Sequence, residues 1–224
     1  MKLKCLVIAC FGVGALYAAE SSASRLRDSA EVLKQIMSTS DRAIPQDLLG
    51  KSACVVIVPG LKKGAFIFGG KFGRGFIICR AAGGTGWSAP AGVMVEGGSF
   101  GFQIGGEETD AVMLVLGKRG AEKLLSSKFT LGGDASVAAG PVGRTSSADT
   151  DLQLQAEILT YSRARGVFAG VALNGATLRP DKDANKELYG EGKTNQEIAM
   201  GATAPPPAAA ALRAELTRYS SRKN

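Results

Sequence analysis

Between residues 54 and 116 the chain repeats one pattern, in which short apolar runs rich in β-branched residues are separated by glycines. The runs are "CVVIVPG", "GAFIFGG", "GFIICR", "AGVMVEGGSFGFQIGG" and "DAVMLVLG". Runs of this length, bounded by glycine and proline, are typical of strands joined by tight turns. Further on, "DLQLQAEI" alternates apolar and polar residues and predicts a strand with one wet face. "GVFAGVALNGATL" predicts a hairpin that turns at Asn174-Gly175.

Helical spacing appears before the strand region. In "SRLRDSAEVLKQIM" the apolar residues are Leu26, Leu33, Ile36 and Met37, which predicts an amphipathic helix with Ser24 as its cap. Two interpretations of its apolar stripe stay open: it packs on the domain, or it faces lipid.

Later segments predict three more helices and a tail. "RGAEKLLSS" predicts a short helix, "PDKDANKELYG" a helix from an Asp181 cap to Gly190, and Thr194 with Glu197 a capping box. "ATAPPPAAAA" reads as a linker, and the basic tail "LRAELTRYSSRKN" has a helical pattern. That tail can dangle, dock on the domain or reach an anionic surface.

The fold class follows from these patterns together with the composition. Thirty of 224 residues are glycine, which argues against a helical bundle, because each interior helical glycine costs about 1 kcal/mol. We predict a single α+β domain, with a mainly antiparallel, glycine-rich β-sheet or barrel-like core and a few short helices. Its predicted boundaries are residues 20–201, followed by a Pro/Ala linker and basic tail at 202–224.

The first nineteen residues have the character of an export signal. "MKLK" is cationic, "CLVIACFGVGALYAA" is an apolar run short for a membrane span, and Glu20 opens a polar stretch. We predict cleavage after Ala18 or Ala19, and so a periplasmic or envelope-associated protein. Lipidation at Cys10 is the alternative.

Charge and cysteine content narrow the choice of partners. The whole chain has a net charge of +7, and the part after residue 19 keeps 25 cations against 20 acids. A positive excess favours anionic partners, and export favours phospholipid headgroups over nucleic acid. Cys54 and Cys79 remain in the mature chain, and either a disulfide or two buried thiols is consistent with the sequence.

Tests for catalytic and metal-binding motifs are negative. The chain has no histidine, which excludes a Ser-His-Asp triad and every His-ligated metal site. Gly70-Lys71 lacks the other residues that a phosphate-binding loop needs. "GGSFG" matches the nucleophile motif Gly-x-Ser-x-Gly with Ser99, but the chain has no histidine to act as its base. "DKDANKELYGEG" has glycine at the position where a calcium-binding loop needs its last glutamate. A helix N-cap at Asp181 therefore explains this stretch better than a calcium site does. We therefore expect no enzyme activity, cofactor or metal.

Cations beside apolar segments are the remaining signal. The stretch "KKGAFIFGGKFGRGFIICR" holds five cations and no acid. Cations that border apolar strands can accept lipid phosphates, although they also protect strand edges and solubilise loops. The cations of this stretch are Lys62, Lys63, Lys71, Arg74 and Arg80.

Three segments resemble the SYLF-domain family in order and spacing. They are "WSAPAGVMVEGGSFGFQIGGEETDAVML", "LGGDASVAAGPVGR" and "YSRARGVFAGVALNGATLRPDKDANKELYG", and the similarity covers roughly residues 30–189. The resemblance implies membrane-lipid binding, with phosphoinositides as ligands of animal members and actin filaments as partners of yeast relatives. It also implies that the first helix contacts lipid, with Arg25, Arg27 and Lys34 as its cations.

From the residues and the resemblance we expect non-catalytic binding of an anionic phospholipid surface. The cations named above supply charge in this hypothesis, and the first helix adds apolar insertion. The alternative is a protein-interaction module of the cell envelope or host surface, similar to the actin-binding relatives.

Overall fold

A computed structural model of the chain describes most of the sequence after residue 19. The described residues are 20–39, 43–65, 68–81, 86–100, 105–126, 128–142, 156–164, 167–170, 173 and 175–220. The predicted export signal and most of the predicted strand "DLQLQAEI" lie outside them.

Six helices and nine strands make up this part of the chain. The helices are α1 (Ser22–Ser38), α2 (Gln46–Lys51), α3 (Lys118–Ser126), α4 (Lys182–Tyr189), α5 (Asn195–Met200) and α6 (Ala210–Ser220), the last preceded by a 3-10 turn (Pro207–Ala209). The strands are β1 (Cys54–Ala65), β2 (Phe68–Cys79), β3 (Ala91–Phe100), β4 (Gly105–Val115), β5 (Phe129–Thr130), β6 (Val137–Ala139), β7 (Ile158–Ala164), β8 (Val167–Gly170) and β9 (Thr177–Pro180).

The strands form one curled sheet, a half-barrel. Its order is β5-β9-β3-β2-β1-β4-β7-β6, and β8 pairs with β7 outside that path. The pairs are antiparallel, except that β6 runs parallel to β7. This confirms the predicted α+β class with a mainly antiparallel sheet.

Both faces of the central strands are buried, because helices cover each side. On β1, Val56 and Val58 belong to a core on the side of α3 and α5, whereas Val55 and Ile57 belong to a core beneath α1, α2 and α6. We call these sides the α3 face and the α1 face. The continuous apolar run of β1 is thus the pattern of a strand covered on both faces.

Glycine lets the central strands approach closely. A Cβ on Gly75 of β2 would lie 2.0 Å from the carbonyl oxygen of Ile57 and 2.8 Å from the Cα of Val58. Beside this contact the β1 register shifts between Ile57 and Lys62, and Gly60 adopts a φ of +57° there. The bulge and the glycine together permit this approach.

Helix α1 packs its apolar stripe on the domain. Leu26 and Leu33 are fully buried and Ile36 is 1% exposed, which decides between the two interpretations of the stripe. The predicted cap at Ser24 is wrong: Ser21 is the N-cap, and its hydroxyl accepts a hydrogen bond from the Ser24 amide. Ser21 takes this position because the helix begins at Ser22, three residues earlier than the apolar spacing indicates.

The tail docks on the domain, the second of the three alternatives. Leu212 and Leu216 of α6 are fully buried in the core that contains α1 and α2. The indole Nε1 of Trp87 donates to Ser220 Oγ at 3.2 Å, and Arg213 Nε donates to the Trp87 carbonyl at 3.0 Å. Residues 209–220 therefore contribute to the same core as the strands.

Several capping predictions are confirmed. Asp181 caps α4 by accepting from the Ala184 amide, and Gly190 ends that helix with a φ of +81°. Thr194 and Glu197 form a capping box at α5.

The predicted hairpin around Asn174-Gly175 is wrong. Gly175 has the expected positive φ of +76°, but the strands on either side do not pair with each other. Strand β8 pairs with β7, whereas β9 lies between β3 and β5. The local turn signal cannot indicate which strand the chain joins after the turn, since distant partners decide it.

Cys54 and Cys79 form a disulfide. They occupy directly opposite positions on β1 and β2, and their sulfurs are 2.07 Å apart. Both side chains are buried, at 0% and 2% exposure. Of the two alternatives that the sequence leaves open, the structure shows the bonded one.

Candidate functional site

Three of the predicted lysines converge at one end of the sheet. Lys62 and Lys63 lie near the end of β1, and Lys71 lies near the start of β2, directly opposite Lys63. Strands β1 and β3 end here and strands β2 and β4 begin here: Ala65 lies opposite Gly105, and Phe68 lies opposite Phe100. We call this region, with Lys62, Lys63, Lys71 and Phe72, the hairpin end.

On the α1 face, a row of side chains crosses four strands at the hairpin end. The register places Lys62 between Glu108 and Phe72, and Phe72 between Lys62 and Glu96. Glu96 in turn pairs with Arg179 on β9, at 2.5 Å. Charges of opposite sign therefore alternate along this row, which is the favourable arrangement across strands.

Phe72 stands out in this row because it is exposed. It is 47% exposed, and among the described residues only Met200, at 39%, is another exposed large hydrophobic. The sequence pattern favours α1 as the apolar part of a lipid contact and does not single out Phe72. Its signal was weak, since one phenylalanine in an apolar, glycine-rich strand reads as core.

On the α3 face, the row has a different charge pattern. Lys63 lies directly opposite Lys71, Gly97 is the next neighbour on β3, and Glu107 is the neighbour of Lys63 on β4. Burial lowers the pKa of Lys71, and the nearby ammonium group of Lys63 lowers it further. Two like charges are thus held side by side.

Arg74 and Arg25 take part in internal ion pairs. Asp181 Oδ2 lies 3.6 Å from Arg74 Nε and 3.9 Å from Arg25 Nη1. Arg74 also reaches Asp183, and Arg25 reaches Glu20, each at 3.7 Å. The side chain of Arg25 is only 7% exposed. These two arginines join α1, β2 and the start of α4, so their charge is engaged at least in part within the protein.

Arg80 lies far from the hairpin end. Nine residues of extended strand separate it from Lys71, a distance of about 30 Å. Its Nη2 donates to the carbonyls of Leu49 and Gly50 at the end of α2, at 3.2 and 3.0 Å. Its guanidinium lies 4.1 Å from the centroid of the Trp87 ring. The structure therefore brings Lys62, Lys63 and Lys71 together and does not bring Arg80 to them.

The remaining predicted cations are exposed on α1. Arg27 is exposed, and Lys34 pairs with Glu31 one turn earlier at 3.9 Å. An exposed pair of this kind adds little stability.

An acidic cleft lies between α1 and strands β1 and β4, and no pattern in the sequence predicts it. It has a volume of about 370 Å³, and its lining includes Glu20, Asp28, Glu108 and Asp110 together with Lys62. Burial and a hydrogen bond with Asp28 raise the pKa of Glu20. These acids come from two segments that are far apart in sequence, α1 with the residues just before it and β4, so only the folded chain assembles them.

Within the described residues, no group of three or more His, Cys, Asp or Glu side chains could hold a metal ion. The side chain of Ser99 lies outside that part of the chain. None of the helices described is both long and apolar enough to cross a membrane.

Comparison with known proteins gives consistent matches. The family model "Ysc84: Las17-binding protein actin regulator" matches residues 96–219. "LAS seventeen-binding protein 3" of Saccharomyces cerevisiae is 38% identical over 173 residues, which cover 75% of this chain and 37% of that protein. The human "SH3 domain-containing YSC84-like protein 1" is 33% identical over 193 residues, covering 86% of this chain and 55% of that protein.

Yeast "Protein YSC84" is 32% identical over 194 residues, covering 83% of this chain and 41% of its own length. The chain thus spans about two fifths to just over half of the length of these relatives. The segment that the family model matches runs from β3 to the docked helix α6. It contains the whole of two of the three segments that resemble SYLF domains. The chain belongs to the Ysc84 family of SYLF-domain proteins.

Proposed function

We propose that this protein binds the surface of anionic phospholipid membranes without catalysing a reaction, and that the hairpin end makes the contact. The observation that carries the proposal is the convergence of Lys62, Lys63 and Lys71 beside the exposed ring of Phe72. Cations next to an exposed aromatic residue suit a bilayer interface, since headgroup phosphates lie above the start of the acyl chains.

The structure also changes which residues carry the proposal. The apolar stripe of α1 is buried, so Phe72 replaces it as the apolar element. Arg25, Arg74 and Arg80 make contacts elsewhere in the protein. In our proposal Lys62, Lys63 and Lys71 supply the charge, because they lie together beside Phe72.

The expected strength follows from the number of lysines. Each basic residue close to an anionic bilayer contributes about 1 kcal/mol. Three lysines therefore contribute about 3 kcal/mol, or roughly a hundredfold in the partition coefficient. Because the interaction is electrostatic, salt weakens it.

Vesicle flotation tests the proposal. All the helices, strands and core residues described lie between residues 20 and 220, so the chain from Glu20 onward is used. We expect it to float with vesicles of phosphatidylcholine and phosphatidylserine and to stay behind with phosphatidylcholine alone. The variant K62Q/K63Q/K71Q loses most of this binding.

A matched control separates local from overall charge. K51Q/K118Q/K123Q removes three other exposed lysines, from α2 and α3, and keeps the binding in our proposal. Equal losses in the two triple variants, or equal flotation with neutral and anionic vesicles, would refute the role of the hairpin end.

The location that we propose is outside the cytoplasm, in the periplasm or cell envelope. The Cys54–Cys79 disulfide supports it, because structural disulfides persist in oxidising compartments. Fractionation of cells that express the chain tests this: recovery of the protein in the cytosol with free thiols would contradict it.

A second candidate function is protein binding of the kind that the family description names. The matching family is described as an actin regulator, and one relative is named as a Las17-binding protein. Co-sedimentation of the chain from Glu20 with actin filaments tests this function separately. Because α6 is part of the core, deletion of residues 202–224 would disturb the fold, so surface variants are the better probe.

A further inference from the structure

A cavity of about 620 Å³ lies among α3, α4 and α5. Its lining comes from the end of α3, from α4, from the loop that follows α4 and from the start of α5. Cavities that bind small molecules in proteins measure about 300–1,000 Å³. The four residues of the hairpin end are not among those that line it, so this cavity is separate from the proposed membrane contact.

Two buried asparagines form part of the cavity wall. Asn185 of α4 and Asn195 of α5 both line the cavity, and they are 3% and 1% exposed. The amide of Gly92 in β3 donates to Asn185 Oδ1 at 2.7 Å, and the carbonyl of Gly92 accepts from Asn195 Nδ2 at 2.9 Å. Asn185 Nδ2 donates to Asn195 Oδ1 at 2.6 Å, which closes a ring of hydrogen bonds. Because a backbone amide only donates and a carbonyl only accepts, the ring fixes the orientation of both carboxamides.

This ring leaves one hydrogen-bond donor unused on each asparagine. A carboxamide nitrogen has two hydrogens, and each of these nitrogens donates one hydrogen bond within the part of the chain described. A buried donor without an acceptor is costly, so the unused N–H groups favour a ligand that accepts. The ring is also tightly packed, since a Cβ on Gly92 would lie 2.8 Å from Ala184 Cβ and 2.9 Å from the Asp181 carbonyl oxygen. The donors are therefore held in place before a ligand binds.

Three lysines and two acids line the same cavity: Lys182, Lys186, Lys193, Asp183 and Glu191. Each acid already has a cation beside it. Asp183 Oδ2 lies 3.7 Å from Arg74 Nη2, and Glu191 forms an ion pair with Lys186. The lining thus has one more cation than it has acids.

Lys182 is the cation whose charge is not balanced. Among the residues described, it forms no ion pair with a carboxylate. Lys193 donates to Thr203 Oγ1 at 3.4 Å. Hydrogen bonds from Thr194 lower the pKa of Glu197, and the charge of Lys193 lowers it further, so Lys193 has an acid near it. The positive excess at the cavity therefore lies with Lys182.

Another part of the cavity wall is apolar. Leu125 at the end of α3 and Pro180 at the end of β9 line it. The loop after α4 adds Gly190 and Gly192, where an added Cβ would meet no heavy atom within 4 Å. The cavity is many times larger than a carboxylate or phosphate group, so it has room for the apolar body of a ligand as well.

We propose that this cavity binds a small organic acid. Its carboxylate accepts hydrogen bonds from the unused N–H groups of Asn185 and Asn195 and pairs with Lys182, and its apolar body packs on Leu125 and Pro180. A carboxylate has two oxygens that accept in parallel, which suits two neighbouring donors. Its single negative charge matches the excess of one cation better than a phosphate monoester does, since that group carries about −1.5 to −2. This site goes beyond the membrane contact and does not depend on it.

Benzoate is the probe for this site, because it joins a carboxylate to an apolar ring, and benzamide is its matched neutral control. Each is titrated into the ¹⁵N-labelled chain from Glu20 at constant ionic strength, and the side-chain amide signals are followed by NMR. We expect benzoate to shift the Nδ2 signals of Asn185 and Asn195, because a charged acceptor makes the stronger hydrogen bond. Benzamide should bind roughly tenfold more weakly, since it offers no charged acceptor.

Two variants and a control locate the probe. K182Q removes the unbalanced cation and should weaken benzoate binding roughly twofold to fivefold, the usual effect of an exposed ion pair. K118Q removes an exposed lysine at the other end of α3, outside the cavity lining, and should bind benzoate like the wild type. S126W places an indole at the cavity from an exposed position and should abolish binding while the other backbone signals stay in place.

Several results overturn the inference. They are Asn185 and Asn195 signals that do not move up to the solubility limit of benzoate, equal affinities for benzoate and benzamide, or a folded S126W that binds benzoate like the wild type. If S126W does not fold, K182Q and K118Q decide, and equal affinities in those two variants overturn the inference. Inorganic phosphate that displaces benzoate at a lower concentration than benzoate itself requires would overturn the assignment to carboxylates.

Discussion

Replacement of Phe72 by alanine removes the apolar part of the proposed membrane contact. A phenylalanine side chain buries about 150–250 Å², and Phe72 is 47% exposed. Roughly 90 Å² is therefore available for burial in the interface. At about 25 cal/mol per Å², this corresponds to about 2 kcal/mol, or roughly a thirtyfold loss in the partition coefficient.

Partitioning onto phosphatidylserine-containing vesicles at low and high salt measures this loss. Burial of apolar surface is not screened by salt, so the F72A deficit persists at high salt. The deficit of K62Q/K63Q/K71Q shrinks at high salt, because its origin is electrostatic. This difference in salt dependence separates the two contributions.

Met200 provides the control, since it is 39% exposed on α5, outside the hairpin end. M200A should bind vesicles like the wild type. The reasoning fails if F72A binds as tightly as M200A, or if its deficit disappears with salt in the same way as that of the lysine variant.

The remaining predictions concern stability. G75A places a Cβ 2.0 Å from the carbonyl oxygen of Ile57, so we expect a loss of about 3 kcal/mol or more in urea unfolding; an unchanged midpoint would contradict the close approach of the strands. L216A removes a fully buried side chain and should cost about 2–5 kcal/mol, whereas a free tail would give no change. Reduction of the Cys54–Cys79 disulfide, whose residues are 25 apart in sequence, should cost about 3.5 kcal/mol; equal urea midpoints with and without reductant would exclude it.

The sequence predicted the elements of this fold well where the signal is local. Asp181 before a helix and the Thr194–Glu197 pair are short-range signals, and the caps they predict are present. The glycine-rich apolar runs between residues 54 and 116 likewise fall in β1 to β4, except that "GAFIFGG" spans the end of β1 and the start of β2. Such signals work because the physical contact that they describe lies within a few residues.

Long-range partners were harder to predict. Asn185 occupies a calcium-loop position by its spacing, but it is buried and accepts a hydrogen bond from the Gly92 amide at 2.7 Å. Its amide group donates to Asn195, which itself donates to the Gly92 carbonyl. This network fixes α4 and α5 to β3, and no pattern in the sequence connects residues 92, 185 and 195.

For the candidate site, too, the sequence predicts local groupings and misses long-range contacts. Proximity in sequence correctly grouped Lys62 and Lys63, and the hairpin brought Lys71 beside them. Proximity misled for Arg80, because an extended strand carries it away from Lys71 and α2 offers it carbonyl oxygens. The exposure of Phe72 depends on which elements cover β2, and no local sequence pattern specifies that.

The most direct test of membrane contact by the hairpin end uses one fluorescent label. The chain from Glu20 has only two cysteines, which are bonded to each other, so G70C introduces a single reactive thiol. A Cβ at residue 70 has no heavy atom within 4 Å. An environment-sensitive fluorophore there should shift to shorter wavelength with phosphatidylserine vesicles, while the same label at K51C, beside the opposite end of β1, does not shift. A shift at residue 51 without one at residue 70 would contradict the account.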